Sequence, residues 1–229
     1  MKLKVCGMKS EENLLDIAEV GADYLGFIFY KKSSRYFTGN IPKLPKAINK
    51  VGVFVNAPIA EVISTIIDQG LDSIQLHGDE SPEYCCALSD AYKKTKLGDQ
   101  IKIIKAFSVN QDFDFPELIH YENNCDYYLF DTKGKLPGGN GFTFNWNILR
   151  DYSSSKPYFL SGGIGIDETD KILEFLKKPE SNHCHAIDVN SRFEIEPGLK
   201  NSVLIKKFKH DIKFNRLNNE VFKKQQYDL

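Results

Sequence analysis

With 229 residues, 41% of them hydrophobic and 27% charged, the chain can bury one sizeable core, which argues against disorder. A net charge of −1 gives it no global attraction to nucleic acid or anionic lipid, and its apolar runs fall far short of the roughly 20 residues a membrane span needs. The Met1-Lys2-Leu3-Lys4 start carries no secretion signal and the five cysteines include no Cys-x-x-Cys spacing, so reduced thiols in a cytoplasmic protein are expected.

Taken in order, the chain opens with a short apolar run, Leu3–Cys6, followed by Gly7 and a helical pattern. Ser10 is placed as N-cap, Glu11 and Glu12 fill the first turn, and Leu14, Leu15, Ile17 and Ala18 form the apolar stripe. Further β-rich runs follow at Tyr24–Tyr30, Val51–Asn56, Ser73–His77, Ile101–Phe107, Asp126–Asp131, Pro157–Ser161 and Ala186–Asn190. Several are almost wholly apolar, as strands buried on both faces of a parallel sheet must be. Helices are expected after Asn56-Ala57-Pro58, closing at Gly70, after Ser81-Pro82, and from Asp167 through Lys177 and Lys178. The run from Tyr30 to Lys46 has no amphipathic period and reads as a long loop with a short helix; Phe142 to Arg150 has room for about two helical turns.

Eight strand candidates with one connection each predict an α/β fold, an eight-stranded parallel β/α (TIM) barrel, in preference to an open doubly wound sheet. The domain reading is a single barrel over 1–205, with 206–229 as a C-terminal helix and polar tail packed on the barrel or fraying from it. The tail's lysines, interleaved with Phe208, Phe214 and Phe222, suit a solvated helix face better than a nucleic-acid-binding arm.

In such a fold chemistry gathers at the carboxyl ends of the strands. Cys6 ends the first strand, although a buried cysteine is also an ordinary small hydrophobe. Asp131 closes the apolar run Tyr127–Phe130 and must find water or partners; the glycine-rich loop to Gly141 follows it. Ser161-Gly162-Gly163-Ile164-Gly165 and Asp188-Val189-Asn190-Ser191-Arg192 follow the seventh and eighth strands, the usual phosphate site of a β/α barrel. His77 ends strand four on the same rim. Arg35 lies in the irregular loop after strand two, where most arginines face solvent. His183-Cys184-His185 has no matching ligand pair elsewhere and reads as a surface loop entering the last strand, not a metal site.

Together these stretches resemble the phosphoribosylanthranilate isomerase family. The likeness rests on Lys4-Val5-Cys6-Gly7, Gly26–Phe29 with Ser33-Ser34-Arg35-Tyr36, Val51–Asn56, Gln75–Glu80, Asp131 with the glycine loop to Trp146, Ser161–Ile164 and Asp188–Ser191. It implies an Amadori rearrangement of N-(5-phosphoribosyl)anthranilate without cofactor or metal, with Asp131 as general acid and Cys6 as general base. It further implies that Arg35 pairs with the anthranilate carboxylate, that Asp188 hydrogen-bonds the substrate, that His77 lines its pocket, and that Gly162, Gly163, Asn190 and Ser191 hold the phosphate; Arg192, on the same turn, is expected to add a guanidinium contact to it. The expected partner is a small phosphorylated substrate, with no nucleic acid and no membrane, in a monomer or homodimer. The sequence departs from the family at Ser34, Asn140 and Arg192, where proline, threonine and glycine are usual. A pentose-phosphate epimerase and a non-catalytic phosphometabolite-binding barrel are the competing readings. The first needs a metal centre with paired histidines and acids, which the strand pattern lacks; the second sits poorly with retention of both Cys6 and Asp131.

Overall fold

In the computed structural model, which describes residues 1–95, 100–132 and 145–213, eight parallel strands close into a barrel in chain order. They are β1 (Lys2–Cys6), β2 (Tyr24–Ile28), β3 (Asn49–Phe54), β4 (Ser73–Leu76), β5 (Lys102–Val109), β6 (Tyr127–Thr132), β7 (Tyr158–Leu160) and β8 (Cys184–Val189). Closure is made by β1 against β8, with Lys4 opposite Asp188 and Val5 opposite Val189. A short antiparallel hairpin, β9 (Glu194–Glu196) and β10 (Leu199–Lys200), follows β8 and turns at Gly198 with φ +90°. Sequence reading did not anticipate it, although Pro197-Gly198 is a turn signal.

Strand alternation divides the side chains into two sets. Leu3, Val5, Leu25, Phe27, Ile74, Leu76, Tyr128, Phe130, Ile187 and Val189 face outward into the layer beneath the helices. Tyr24, Val51, Ile104, Ala106, Leu129, Phe159 and Ala186 fill the barrel axis. The same alternation puts Lys4, Cys6, Gln75, His77, Asp131, Ser161 and Asp188 on the inner face, towards the carboxyl-terminal end.

The connections are uneven. α1 (Glu11–Val20) and α2 (Ile59–Gln69) each end at a left-handed glycine, Gly21 and Gly70, and α3 (Pro82–Lys93) begins at Ser81, whose Oγ accepts from the Tyr84 N–H. Phe115–Tyr121 and Trp146–Asp151 form only 3₁₀ turns. The segment after β2 contains no helix; Phe37 pins it by packing on Phe27 and Phe29. The helix expected from Asp167 starts later: Ile166–Glu168 is a 3₁₀ turn, and α4 covers Thr169–Phe175. β8 starts two residues before its expected edge, so Cys184 and His185 belong to a strand and not to a surface loop. His185 reaches the amino-terminal end of the barrel, where the Tyr24 hydroxyl lies 2.7 Å from its Nε2. Residues 202–213 form α5, seated through Ile205, Phe208 and Ile212, with Phe208 against Phe193. Among the described residues no helix is long and apolar enough to cross a membrane.

Candidate active site

Cys6 is buried at the end of β1, with Sγ so close over β2 that a side chain at Gly26 would strike it at 2.8 Å. Two residues earlier on the same face, Lys4 is wholly buried and donates to Asp188 Oδ1 at 2.8 Å. Ser161 Oγ donates to the other Asp188 oxygen at 3.2 Å, so strands β1, β7 and β8 share one polar cluster beneath the mouth. Burial pushes the Cys6 thiol above its ordinary range, while the Lys4 ammonium pulls against that shift. Burial also pulls Lys4 down, but Asp188 and Cys6 outweigh it and hold the amine charged.

Asp131 stands across the mouth on β6, with Oδ2 3.4 Å from His77 Nε2. The Gln75 amide nitrogen lies 2.8 Å from His77 Nδ1. Gln75 donates there, which leaves the ring proton on Nε2, directed at Asp131. Burial, with Lys105 and Lys4 nearby, pushes His77 down to about 4, so the ring is neutral near pH 7. The β4 loop carrying His77 is fastened by Glu80, which accepts from the N–H groups of Asn56 and Gly78 and pairs with buried Lys105 at 3.0 Å. A cavity of about 340 Å³ opens beside this loop, walled by His77, Lys105, Phe107, Ser108 and Tyr121.

The glycine turn after β7 has positive φ at Gly162 (92°) and Gly163 (66°), which glycine adopts without strain. Arg192 lies across this turn: its Cβ and Nε would each sit 3.0 Å from a Cβ placed on Gly165. Its Nη2 is 3.2 Å from Asp167 Oδ2 and 4.0 Å from Glu168 Oε2. Asn56 is the only described non-glycine residue with positive φ, so Arg192 carries no left-handed strain. Ser191 and Arg192 form a 3₁₀ turn with Phe193, and the Asn190 side chain accepts from Lys200. Arg35 is not free in solvent: its Nε and Nη2 both grip Glu194, at 2.8 and 2.6 Å.

Cys6, His77, Asp131, Asp188 and Arg35 therefore converge on one mouth, and Gly162, Gly163, Asn190, Ser191 and Arg192 form its β7–β8 side. Residues 133–144, with the glycine loop and Asn140, lie outside the described residues, as do 214–229 of the tail. Sequence reading missed Lys4, Gln75, Glu194 and Lys200. A lysine inside an apolar strand and a glutamine two before His77 were the available signals. Among the described residues no group of three or more His, Cys, Asp or Glu side chains could hold a metal ion.

A closed parallel barrel with titratable side chains gathered at its carboxyl-terminal mouth is the layout of a β/α-barrel enzyme. The family model for N-(5'-phosphoribosyl)anthranilate isomerase matches residues 3–211. A protein of that name from Phocaeicola vulgatus is 40% identical over 93% of this chain and 98% of its own; one from Parabacteroides distasonis is 40% identical over 91% of each. Among solved structures, the Thermotoga maritima phosphoribosyl anthranilate isomerase superposes with a TM-score of 0.75 at 30% identity, covering 93% of this chain and 98% of that one. Another phosphoribosyl anthranilate isomerase, 28% identical with a TM-score of 0.73 and the same coverage, was solved in complex with reduced 1-(o-carboxyphenylamino)-1-deoxyribulose 5-phosphate. This chain belongs to the N-(5'-phosphoribosyl)anthranilate isomerase family. It is an isomerase of tryptophan biosynthesis.

Proposed function

We propose that Cys6 and Asp131 divide the proton transfers of the Amadori rearrangement that turns N-(5-phosphoribosyl)anthranilate into 1-(2-carboxyphenylamino)-1-deoxyribulose 5-phosphate. The observation that carries this division is their placement: both face the barrel axis at the mouth, one on β1 beside a buried ammonium, the other on β6 beside a neutral histidine. Asp131, as the carboxylic acid, gives its proton to the furanose ring oxygen. The C1–O bond breaks, and the anilino nitrogen lone pair forms the C1=N bond of a protonated Schiff base. That cation acidifies the C2 proton, which the Cys6 thiolate removes as the C1=C2 bond forms and the nitrogen regains its lone pair. The resulting enolamine loses its hydroxyl proton and gains one at C1, which leaves the ketone. Acid and base act at different atoms of a small substrate, so separate strands suit them.

Arg35 binds the anthranilate carboxylate, and the β7–β8 side with Gly162, Gly163, Asn190, Ser191 and Arg192 binds the phosphate. His77 and Asp188 contribute as orienting groups, His77 through Asp131 and Asp188 through Lys4. The substrate is a small phosphorylated metabolite, handled in the cytoplasm by a monomer or homodimer whose single barrel domain is 1–205 with the C-terminal segment 206–229 appended.

Turnover of the purified enzyme, followed by the fluorescence of substrate made in situ, tests the division. Asp131→Asn keeps shape and removes the transferable proton, so kcat falls at least about a hundredfold. Near-normal turnover in that variant would falsify the assignment. Rescue of a tryptophan auxotroph lacking this isomerase by the wild-type gene, and not by Asp131→Asn, gives the same answer in cells.

A further inference from the structure

Gly7 follows Cys6 in the left-handed region, φ +80°, and three side chains close over it. A Cβ there would meet Arg35 Cδ at 2.7 Å, Asn190 Oδ1 at 2.9 Å and Lys200 Nζ at 3.4 Å. The loops after β1, β2 and β8 and the β9–β10 hairpin thus converge at one point beside the thiol. Lys200 is 1% exposed, an unusual place for an amine, and it makes two contacts there: to Asn190 Oδ1 at 2.7 Å and to Glu194 Oε1 at 2.6 Å. Its backbone is clamped by Asn13 of α1, which donates to its carbonyl and accepts from its N–H, both at 2.8 Å. Glu194 in turn takes the Arg35 fork through Nε and Nη2, and accepts the Gly198 N–H at 3.0 Å. Burial alone would raise the Glu194 carboxyl, but Arg35 and Lys200 overcome it and hold the group ionised.

The geometry points to Glu194 and Lys200 as positioning residues that set specificity for a carboxylated substrate. Glu194 occupies the Nε/Nη2 edge of Arg35, so the guanidinium cannot swing into solvent and its remaining edge, carrying Nη1, is presented to an incoming anion. A free arginine would have to give up rotamer freedom on binding; this one has already done so. Lys200 supplies the second donor that the arrangement requires. Burial pulls its amine below the ordinary range while Glu194 pulls against that shift, and with the amine protonated the Arg35–Glu194–Lys200 triad carries a net positive charge beside the mouth. Through Asn190, Lys200 also ties the arginine to the loop after β8, so the carboxylate end and the phosphate end of a ligand are held at a fixed separation.

The inference rests on Arg35 as the carboxylate-binding group, so the test separates the two. Binding of two stable product analogues is measured by titration calorimetry: the reduced product, and the same molecule lacking its ring carboxylate. In the wild type the carboxylated analogue binds more tightly; Arg35→Ala abolishes that preference if Arg35 is the carboxylate site. Glu194→Ala and Glu194→Gln each cut the preference at least about tenfold, while affinity for the carboxylate-free analogue stays within about twofold; Lys200→Met cuts the preference as much, although its lost contact with Asn190 also weakens the carboxylate-free analogue. In turnover the Glu194 variants raise KM and leave kcat nearly unchanged, whereas Lys200→Met also lowers kcat near neutral pH because it removes a cation that pulls the Cys6 thiol down. Arg35→Ala combined with Glu194→Ala is no worse than Arg35→Ala alone, because Glu194 acts only through the arginine. A purely structural role would instead weaken both analogues equally, and that result overturns the inference, as does a preference unchanged in Glu194→Gln and Lys200→Met. If Arg35→Ala itself keeps the preference, the carboxylate reading of Arg35 fails first. Should Glu194→Ala not fold, the isosteric Glu194→Gln carries the comparison.

Discussion

Burial and charge pull on the Cys6 thiol in opposite directions, and burial wins: the thiol lies above its ordinary range despite Lys4 and Lys200. The thiolate is therefore the minor form near neutrality, and the base role proposed for it predicts a rate that climbs with pH until the thiol has ionised. Alkylation of Cys6 by iodoacetamide reports the same ionisation without turnover. Lys4→Met, made in an Asp188→Asn background so that no buried carboxylate is orphaned, moves the alkylation midpoint upward relative to Asp188→Asn alone. An unmoved or lowered midpoint would remove Lys4 from the thiol's electrostatics. Arg192 poses a different question, because its guanidinium sits on Asp167 beside the glycine turn. A phosphate bound there meets both a cation and two carboxylates that the cation offsets. Phosphate keeps its charge through the reaction, so Arg192→Ala raises KM several-fold and leaves kcat almost unchanged. The effect shrinks at high ionic strength, since the residue is 38% exposed and screened. Steady-state kinetics at low and high salt decide it.

At the scale of elements, two serines that look alike in sequence behave differently. Both Ser10 and Ser81 precede a helix, but only Ser81 accepts a backbone N–H, from Tyr84 at 3.2 Å; Ser10 makes no side-chain cap. Ser81→Ala should cost about 1 kcal/mol in a urea melt, and Ser10→Ala less than about half that. Equal losses would mean that the cap geometry carries no energy here. The reason for the difference is local. Ser81 leads into Pro82, which fixes the first turn, whereas the start of α1 hangs from Gly7 and Met8, whose N–H groups both bond to the Gly26 carbonyl. The short 3₁₀ turns between β5 and β6 and between β6 and β7 follow from sequence too. Phe115 and Trp146 are each followed within a few residues by a buried leucine, Leu118 and Leu149, enough for one apolar face over one or two turns.

Across the whole molecule two histidines sit at opposite ends of the barrel, and both are held neutral. His77 at the mouth and His185 at the amino-terminal end each fall from the ordinary 6.5 to about 4, chiefly through burial. The unfolded chain binds these protons near pH 6.5 and the folded chain only near 4, so between those values unfolding takes protons up and stability falls as pH falls. Above about pH 6.5 the contribution is fully present. Glu194, held below its ordinary value, adds a loss of the same sign at the acid end of the window. The urea midpoint should therefore decline steadily from pH 6.5 to 4.5. His185→Gln, which keeps an amide to accept from Tyr24, should flatten that decline without altering activity at pH 7. A decline as steep in His185→Gln as in the wild type would exclude His185 as its source.

Local pattern alone determined the eight strands, because a parallel strand buried on both faces must be apolar and each must be followed by a crossover. It determined the left-handed stops at Gly70 and the cap at Ser81, which depend on neighbours in the chain. It also brought Cys6, His77, Asp131 and Asp188 to one rim, since strand ends in a closed barrel share a side. What it could not determine was partnership at a distance. Arg35 and Glu194 are 159 residues apart, Lys4 and Asp188 are 184 apart, and Asn13 holds Lys200 across 187. Such pairs come together only when β1 closes against β8, because no local rule links the charge of one loop to that of another. For the same reason the sequence read Arg35 as a solvent-facing loop residue until family likeness gave it a ligand. The tertiary structure gives it Glu194, and through Glu194 a fixed direction.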